Sequence, residues 1–207
     1  MILDEFKRRL RSLIGSPSSQ RPFICEGSPL ECNVAIVGFN PATELNDDFW
    51  SHWRSGYGFD KGAWFEAYKL DRASRPLKPG KTRRPAVSNT RRVLNWISEA
   101  AAPAPVLETN VFSVASATKA DLSLSVRESA PFRFLMEAVK PAVVVAHGID
   151  AQAAVSQLHL TACILNVDHF SRGWSEVRAR ALGVRICGAV RDAGATDGQQ
   201  GASPTLR

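Results

Sequence analysis

The residues with the clearest capacity for chemistry follow a short apolar run near position 35. Val34–Val37 is typical of a buried strand, and Gly38-Phe39-Asn40-Pro41 follows it directly. Glycine permits a sharp turn and proline stiffens the chain beyond it, so the amide of Asn40 is held between two constrained positions. In α/β folds ligands collect at the carboxyl ends of strands. The pattern predicts an amide presented rigidly to a pocket, and an ordinary strand-to-loop turn is the alternative.

A second amide, that of Asn110, lies within the apolar run Val106–Phe112. An asparagine in such a strand destabilises the fold unless its amide is hydrogen-bonded. A side-chain amide offers a donor beside an acceptor, which suits the edge of a pyrimidine, where a carbonyl stands next to an N–H. We predict that Asn110 reads a base. A structural asparagine bonded to neighbouring backbone is the alternative.

Histidines follow the third and fourth apolar runs of the chain. His147 precedes Gly148, and we interpret it as a core residue. His169 follows the fourth run, where it could donate a hydrogen bond to an oxyanion. Two side chains shortly after it, Arg172 and Trp174, could contact a nucleic-acid backbone or enter a base stack.

Positive charge is concentrated in one segment. Residues 69–92 carry a net charge of +8, with Asp71 as their one acid, in a chain whose total is +6. The nine basic residues are Lys69, Arg72, Arg75, Lys78, Lys81, Arg83, Arg84, Arg91 and Arg92. Such a localised excess predicts a polyanion site. A solvated basic loop is the alternative.

Aromatic side chains crowd the residues just before this basic segment. They are Phe49, Trp50, Trp53, Tyr57, Phe59, Trp64, Phe65 and Tyr68. Aromatic residues beside a basic loop suit stacking on bases next to phosphate contacts. Because aromatics at helical spacing are more often core, we expect only one or two of them to face a ligand.

The elements that must position these residues are strands alternating with helices. Strands are predicted at Val34–Val37, Val106–Phe112, Ala142–Ala146 and Ala162–Val167. Helices are predicted at Met1–Ile14, about Lys61–Leu70, Ser88–Ala101, Ser129–Val139, Ile149–Leu158 and Trp174–Leu182. The alternation predicts an α/β fold, a three-layer α/β/α sandwich with a central four-stranded parallel sheet. One domain would span 1–190, with a basic, aromatic insert at about 46–88 and a disordered tail at 191–207.

Composition narrows the class of protein. The 207 residues are 44% hydrophobic and 22% charged, as expected of one globular domain. No apolar stretch reaches the roughly 18 residues of a membrane span, and the first residues lack the apolar centre of a signal peptide. We therefore expect a cytoplasmic monomer. The four cysteines, Cys25, Cys32, Cys163 and Cys187, form no C-x-x-C pair, so no metal or cofactor is predicted.

Four short motifs together resemble the uracil-DNA glycosylase superfamily. Gly38-Phe39-Asn40-Pro41 looks like its first motif, in the Gly-x-Asn-Pro branch, which is similar to the mismatch-specific and single-strand-selective types. His169-Phe170-Ser171 resembles the second motif, usually His-Pro-Ser-Pro followed by a wedge residue. Thr109-Asn110 falls where the superfamily carries its base-reading asparagine, and Gly148 fits the turn after its third strand. The order and separation of these features agree over about residues 34–182.

The resemblance implies a monofunctional DNA glycosylase. Such an enzyme flips a uracil or modified pyrimidine nucleotide out of the stack and hydrolyses its N-glycosidic bond, leaving an abasic site. Asn40 would hold the attacking water, and His169 would donate to the O2 atom of the departing base. Asn110 would read the base edge. The biological role would be DNA repair or defence against modified phage DNA.

Further residues receive roles from the same resemblance. Gly38 and Phe39 would lie against the base, and Phe49 or Phe59 would stack on it. Lys81, Arg83 and Arg84 would bind backbone phosphates, with a strong dependence on salt. Ser171, Arg172 and Trp174 would also contact the DNA.

The chain departs from the family pattern at several positions. Phe170 and Arg172 replace the usual prolines of the second motif, which puts the compression of the DNA backbone in doubt. Gly173 stands at the wedge position, so Arg172 or Trp174 is the better wedge. Ala42 stands where strict uracil enzymes have a bulky tyrosine that excludes 5-substituted pyrimidines. A small residue there predicts a roomier pocket and leaves modified cytosines open as substrates.

Two other classes of function are compatible with the sequence. A non-catalytic nucleic-acid-binding protein could keep this fold without the chemistry. A nucleotide-processing enzyme on a Rossmann-like fold ranks last, because the chain has neither G-x-G-x-x-G nor G-x-x-x-x-G-K-[ST].

Overall fold

A computed structural model describes residues 1–42, 45, 47–77, 79–116, 121–122 and 127–200, with side chains to residue 195. Lys78 of the basic segment and residues 201–207 of the predicted tail lie outside this description. The helices are α1 Leu3–Ile14, α2 Lys61–Ser74, α3 Asn89–Ala101, α4 Ala130–Val139, α5 Ile149–Ser156 and α6 Glu176–Gln200. The strands are β1 Phe23–Ile24, β2 Val34–Gly38, β3 Trp53–Arg54, β4 Gly58–Phe59, β5 Val106–Asn110, β6 Val143–His147 and β7 Cys163–Val167. Short 3-10 helices span Pro29–Glu31 and Phe49–His52.

The main sheet is mixed and has five strands in the order β1-β5-β2-β6-β7. The four strands predicted from apolar runs, β2, β5, β6 and β7, pair in parallel. The prediction of a four-stranded parallel sheet was incomplete, because β1 adds an antiparallel strand at the β5 edge. Its two residues are too few to produce a periodic signal in the sequence.

Helices lie on both faces of this sheet, as the alternation of side chains along β2 requires. Ala35 and Val37 face a core built with α1, α4, α5 and the aromatic insert. Val34 and Ile36 face a second core built with α3 and α6. All five residues of β2 are buried, which explains why the strand is a continuous apolar run.

The aromatic insert forms a β3–β4 hairpin followed by α2. Asp60 caps α2 by accepting a hydrogen bond from the Ala63 amide at 2.8 Å. Most of its rings pack inward: Phe6 of α1, for example, stacks on Trp53 with ring centroids 6.3 Å apart. The insert is therefore a part of the domain core, and it contributes one wall of the site described below.

The last helix is longer than predicted, and the predicted disorder of 191–207 is wrong for its first ten residues. Helix α6 continues to Gln200. Ile186, Ala189 and Val190 pack into the second core, which carries the helix past the predicted end. Once a helix is formed, each further residue adds a hydrogen bond at little extra entropic penalty, so a small-residue segment can continue it.

None of the described helices is long and apolar enough to cross a membrane. Across the described ranges, no group of three or more His, Cys, Asp or Glu side chains is arranged to hold a metal ion.

Candidate functional site

A cavity of about 200 Å³ lies at the carboxyl ends of the parallel strands. Its wall includes Asn40 after β2, Asn110 at the end of β5, His147 at the end of β6 and His169 after β7. The chain leaves β2 for β5 on one side and returns to β6 on the other, which creates the crevice where α/β proteins bind ligands. Because pockets for drug-sized ligands measure roughly 300–1,000 Å³, this cavity suits a smaller group such as one base.

Gly38, the last residue of β2, allows two of these side chains to converge. A Cβ atom at this position would lie 2.6 Å from Asn110 Oδ1 and 2.8 Å from His147 Nε2. Both distances are too short for any side chain, so glycine is required by the close approach of its neighbours. The side chain of Asn110 makes no hydrogen bond to any described residue, so its amide can pair with a ligand.

The amide of Asn40 is held by one of its two ends. Its Nδ2 atom donates to the carbonyl oxygens of Pro41 at 3.0 Å and Ser116 at 3.2 Å, and lies 2.9 Å from Ser116 Oγ. Only the NH2 group can face two carbonyl oxygens, so the orientation of the amide is fixed. Asn40 Oδ1 accepts no hydrogen bond from any described residue and is available as an acceptor at the cavity wall.

His169, in contrast to Asn40, is held through a hydrogen-bond acceptor. The backbone N–H of Ser171 donates to His169 Nδ1 at 3.2 Å, and the Ser171 hydroxyl lies 2.8 Å from the same atom. Because Nδ1 accepts, the neutral ring carries its proton on Nε2, which becomes a donor. Burial lowers the pKa of His169 below its ordinary value, which favours this neutral form.

His147, which we interpreted as a core residue, also lines the cavity. Burial, with a smaller contribution from the charge of His169, lowers the pKa of His147 to about 3, so its ring is neutral near pH 7. The two imidazole rings meet edge to face at 5.1 Å. Phe170, fully buried, stacks on His147 at 4.2 Å, so the phenylalanine that replaces a motif proline supports this wall from behind.

A cluster of charged side chains forms another part of the cavity wall, around Glu108, which lies two residues before Asn110 on β5. Glu108 projects from the same face of β5 and is buried between Lys61, whose Nζ is 2.9 Å from the carboxylate, and Arg91, which donates to its other oxygen. Arg21 shares the Trp64 ring with Arg91, their guanidinium carbons lying 5.8 and 5.0 Å from its centroid. Arg21, Lys61, Arg91 and Glu108 are called the cationic cluster below.

The pKa values of the cationic cluster reflect its surplus of positive charge. Burial would raise the pKa of Glu108, but the charges of Arg91 and Lys61 outweigh burial and lower it to about 2. For Arg21, burial and repulsion by Arg91 lower the pKa to about 10. Glu108 is therefore fully ionised near neutral pH, and it balances only one of three nearby cations.

The aromatic residues expected to stack on a base are not the ones at the cavity. Phe49 and Phe59 are buried in the core, where they stack on each other at 5.2 Å, so the prediction that either contacts a base is wrong. Two other members of the insert, Trp64 and Tyr68, line the cavity from α2 and stack on each other at 5.5 Å. Helical spacing could not distinguish the α2 face toward the cavity from the faces toward the core.

Phe39 does not line the cavity either. Its ring packs edge to face on Phe112 at 5.1 Å and is partly buried. Placing Phe39 against a base was therefore wrong. The chain bends at Phe39 and Asn40, after β2 has ended, and there the Phe39 ring packs on Phe112 while Asn40 lines the cavity.

The basic residues between α2 and α3 have different environments. Arg84 donates to the carbonyl oxygens of Arg72, Arg75 and Pro76, and thereby caps the C-terminal end of α2. Lys81 and Arg83 are exposed and make no hydrogen bond or ion pair with the described residues. Of the three predicted phosphate ligands, Arg84 thus has a structural role, and Lys81 and Arg83 remain accessible.

The predicted DNA contacts in the loop after β7 also differ in their environments. Trp174 packs on Phe170, and Arg178 stacks on its ring at 4.3 Å, so Trp174 is fixed against the protein. Arg172 is exposed and without a hydrogen bond among the described residues. Arg172 is therefore the better candidate for a wedge or a backbone contact.

Sequence reasoning singled out neither Arg21 nor Glu108 of the cavity wall and interpreted His147 as core. It named the other charged and aromatic residues of the wall only as members of the aromatic and basic segments: Trp64, Tyr68, Arg72 and Arg91. A signal existed for Glu108. Glu108 interrupts an apolar strand, and a carboxylate in such a position needs buried cationic partners.

No family model matches the chain, and no curated protein matches it.

Proposed function

We propose that this chain is a monofunctional DNA glycosylase with a three-layer, uracil-DNA glycosylase-like fold, acting as a cytoplasmic monomer on uracil or another modified pyrimidine. The observation that carries the proposal is the convergence of Asn40, Asn110 and His169 on one cavity of single-base size. These residues are distant in sequence and follow three different strands. A site for one base, with a donor and acceptors at fixed positions, is what base excision requires.

The reaction breaks the bond between C1′ of the deoxyribose and the ring nitrogen of the base. The bonding electrons leave with the base, which becomes an anion, and the sugar becomes an oxocarbenium-like cation. Water then adds to C1′ and loses a proton to solvent, which leaves an abasic site, and the departed base anion takes up a proton to become the neutral free base. Asn40 would accept a hydrogen bond from this water through Oδ1, which positions the nucleophile. Water adding to a cation needs little deprotonation early in the step, so an amide suffices.

His169 would stabilise the departing base. A neutral imidazole with its proton on Nε2 can donate a hydrogen bond to the O2 atom, where negative charge develops. The hydrogen bonds from Ser171 to Nδ1 support this role, because they fix both the tautomer and the ring orientation. Asn110 would read the base edge with its unpaired amide, and Ala42 leaves space at the cavity wall for a substituted pyrimidine.

The proposal is tested with a panel of oligonucleotides carrying uracil, thymine and modified cytosines, in single strands and in duplexes, at low salt. Alkali-labile sites at one or more of these bases are expected. Stable binding without any abasic product across the panel would instead favour the non-catalytic nucleic-acid-binding alternative.

A further inference from the structure

The cationic cluster carries more positive charge than the fold neutralises. Three cations, Arg21, Lys61 and Arg91, surround one carboxylate, and Arg91 and Glu108 are less than a tenth exposed. Arg21 donates no side-chain hydrogen bond to any described residue, and its guanidinium lies over the face of Trp64. A buried or half-buried cation without a counterion destabilises the fold. The guanidinium of Arg21, which has no ion-pair partner among the described residues, is therefore suited to bind an incoming anion.

The cationic cluster adjoins the proposed base-reading residue. Glu108 and Asn110 are two residues apart on one face of β5, which separates their Cα atoms by roughly 7 Å. Arg91 bonds to Glu108 and shares the Trp64 ring with Arg21, and these four residues line the same cavity as Asn110. A substituent on a base held by Asn110 would therefore share the cavity with both guanidinium groups.

We infer that the cavity has an anion subsite, formed by Arg21 and Arg91 beside Trp64, which accepts a negatively charged substituent such as a carboxylate on the pyrimidine. This inference rests on the proposed function for the identity of the ligand as a base. A carboxylate is planar and bidentate, and therefore matches the guanidinium of Arg21. Arg91 is already bonded to Glu108 and contributes mainly its charge. The pKa of Arg21, lowered by burial and by Arg91, would return toward its ordinary value when the anion binds.

The test compares free bases by calorimetry on the full chain, so it does not depend on catalysis. The probes are 5-carboxyuracil, its neutral isostere uracil-5-carboxamide, and uracil. The carboxylate should bind at least tenfold more tightly than the carboxamide. Arg21→Gln should reduce this preference to less than threefold, and Arg21→Lys, which keeps the charge, should retain part of it. Arg185→Gln removes an equal charge from an exposed position on α6 and should leave the preference unchanged. Circular dichroism checks that each variant is folded.

Several results would overturn the anion subsite. These are equal binding of the carboxylate and the carboxamide, no binding of either, or an undiminished preference in Arg21→Gln. An oligonucleotide carrying a tetrahydrofuran abasic analogue tests whether the anion is instead a backbone phosphate, because it has no base. If Arg21→Gln weakens the binding of this oligonucleotide tenfold while the preference for the carboxylate over the carboxamide is absent, the subsite holds a phosphate and the inference is wrong. Excision of uracil without preference for the carboxylate would refute the subsite and leave the proposed function intact. Preferential binding of the carboxylate without excision of any base would refute the proposed function and leave the anion subsite intact.

Discussion

At the scale of single residues, the two central side chains present opposite polarities to the cavity. Asn40 uses its NH2 group on Pro41 and Ser116, which leaves an acceptor. His169 uses its Nδ1 lone pair on Ser171, which leaves a donor. An acceptor for water and a donor for a departing oxyanion are the two groups that hydrolysis of a glycosidic bond needs, and here each is oriented by the protein before substrate binds.

The proposed role of His169 predicts a graded effect of two variants. Replacing His169 with alanine removes the donor and should lower the rate of base release by about 100- to 1,000-fold, the usual loss for an oxyanion donor. Ser171→Ala should lower it less than tenfold, because the backbone N–H of residue 171 still holds Nδ1. Single-turnover assays measure both rates. Similar losses in the two variants would contradict the proposed order of importance.

The buried His147 predicts a dependence of stability on pH. Its pKa is lowered from the ordinary value of 6.5 to about 3, so between these values the unfolded chain binds a proton that the folded protein does not. This contribution to the free energy of unfolding is complete above pH 6.5 and decreases as pH falls, by up to about 1.4 kcal/mol per pH unit. His169 acts in the same direction, and Glu108 contributes only below its ordinary pKa of 4.5.

Urea unfolding between pH 7 and 5 therefore isolates the histidines. The free energy of unfolding should fall over this range, and the slope should be smaller in His147→Asn. An unchanged slope in this variant would show that His147 takes up its proton without resistance from the fold.

At the scale of elements, the position of α3 depends on its contact with α6. Helix α3 brings Arg91 and its cap residue Ser88 to the cavity, and it packs along α6 in the second core. Gly183 allows the two helices to approach closely: a Cβ atom there would lie 2.5 Å from the carbonyl oxygen of Ile97 and 2.6 Å from Ala100 Cβ. Residues on α6 thus set the location of one wall of the site.

Two glycine substitutions in α6 test this contact. Gly183→Ala should destabilise the protein by about 1–3 kcal/mol, because the backbones of α3 and α6 must separate. Gly188→Ala, where nothing lies within 4 Å of the new Cβ atom, should be neutral or stabilise by up to about 1 kcal/mol. Thermal unfolding of both variants provides the comparison. Equal stability of the two would contradict the close packing described.

At the scale of the whole molecule, charge divides between a local basic loop and a nearly neutral remainder. Lys81 and Arg83 lie exposed between the two helices that line the cavity, whereas Arg84 is used within the fold.

We expect Lys81→Gln/Arg83→Gln to reduce the slope of log K against log salt for DNA binding by about one to two, since each phosphate contact contributes about 0.9. Arg185→Gln should not change the slope. Titrations at several salt concentrations measure it, and an unchanged slope in the double variant would exclude these residues from the interface.

The sequence predicted the parts of the molecule in which a local pattern coincides with the fold. The parallel strands are continuous apolar runs, so their ends, and hence Asn40, Asn110 and His169, could be located. The cationic cluster could not, because it joins Arg21, Lys61, Arg91 and Glu108 through the packing of α2 and α3 onto the sheet. The aromatic residues were assigned wrongly for the same reason: composition indicated a stacking surface, but only packing shows that both Phe59 and Trp64 are buried and that Trp64 alone of the two lines the cavity.

The central claim, that the cavity hydrolyses a glycosidic bond with Asn40 positioning the water, is tested most directly by analysing products. Wild type and Asn40→Ala are incubated with the best oligonucleotide substrate, and free base and abasic strand are quantified by mass spectrometry. We predict equal amounts of base and uncleaved abasic strand from wild type, and a rate at least about 100-fold lower for Asn40→Ala with DNA affinity retained. No released base from wild type, or an undiminished rate in Asn40→Ala, would contradict the account.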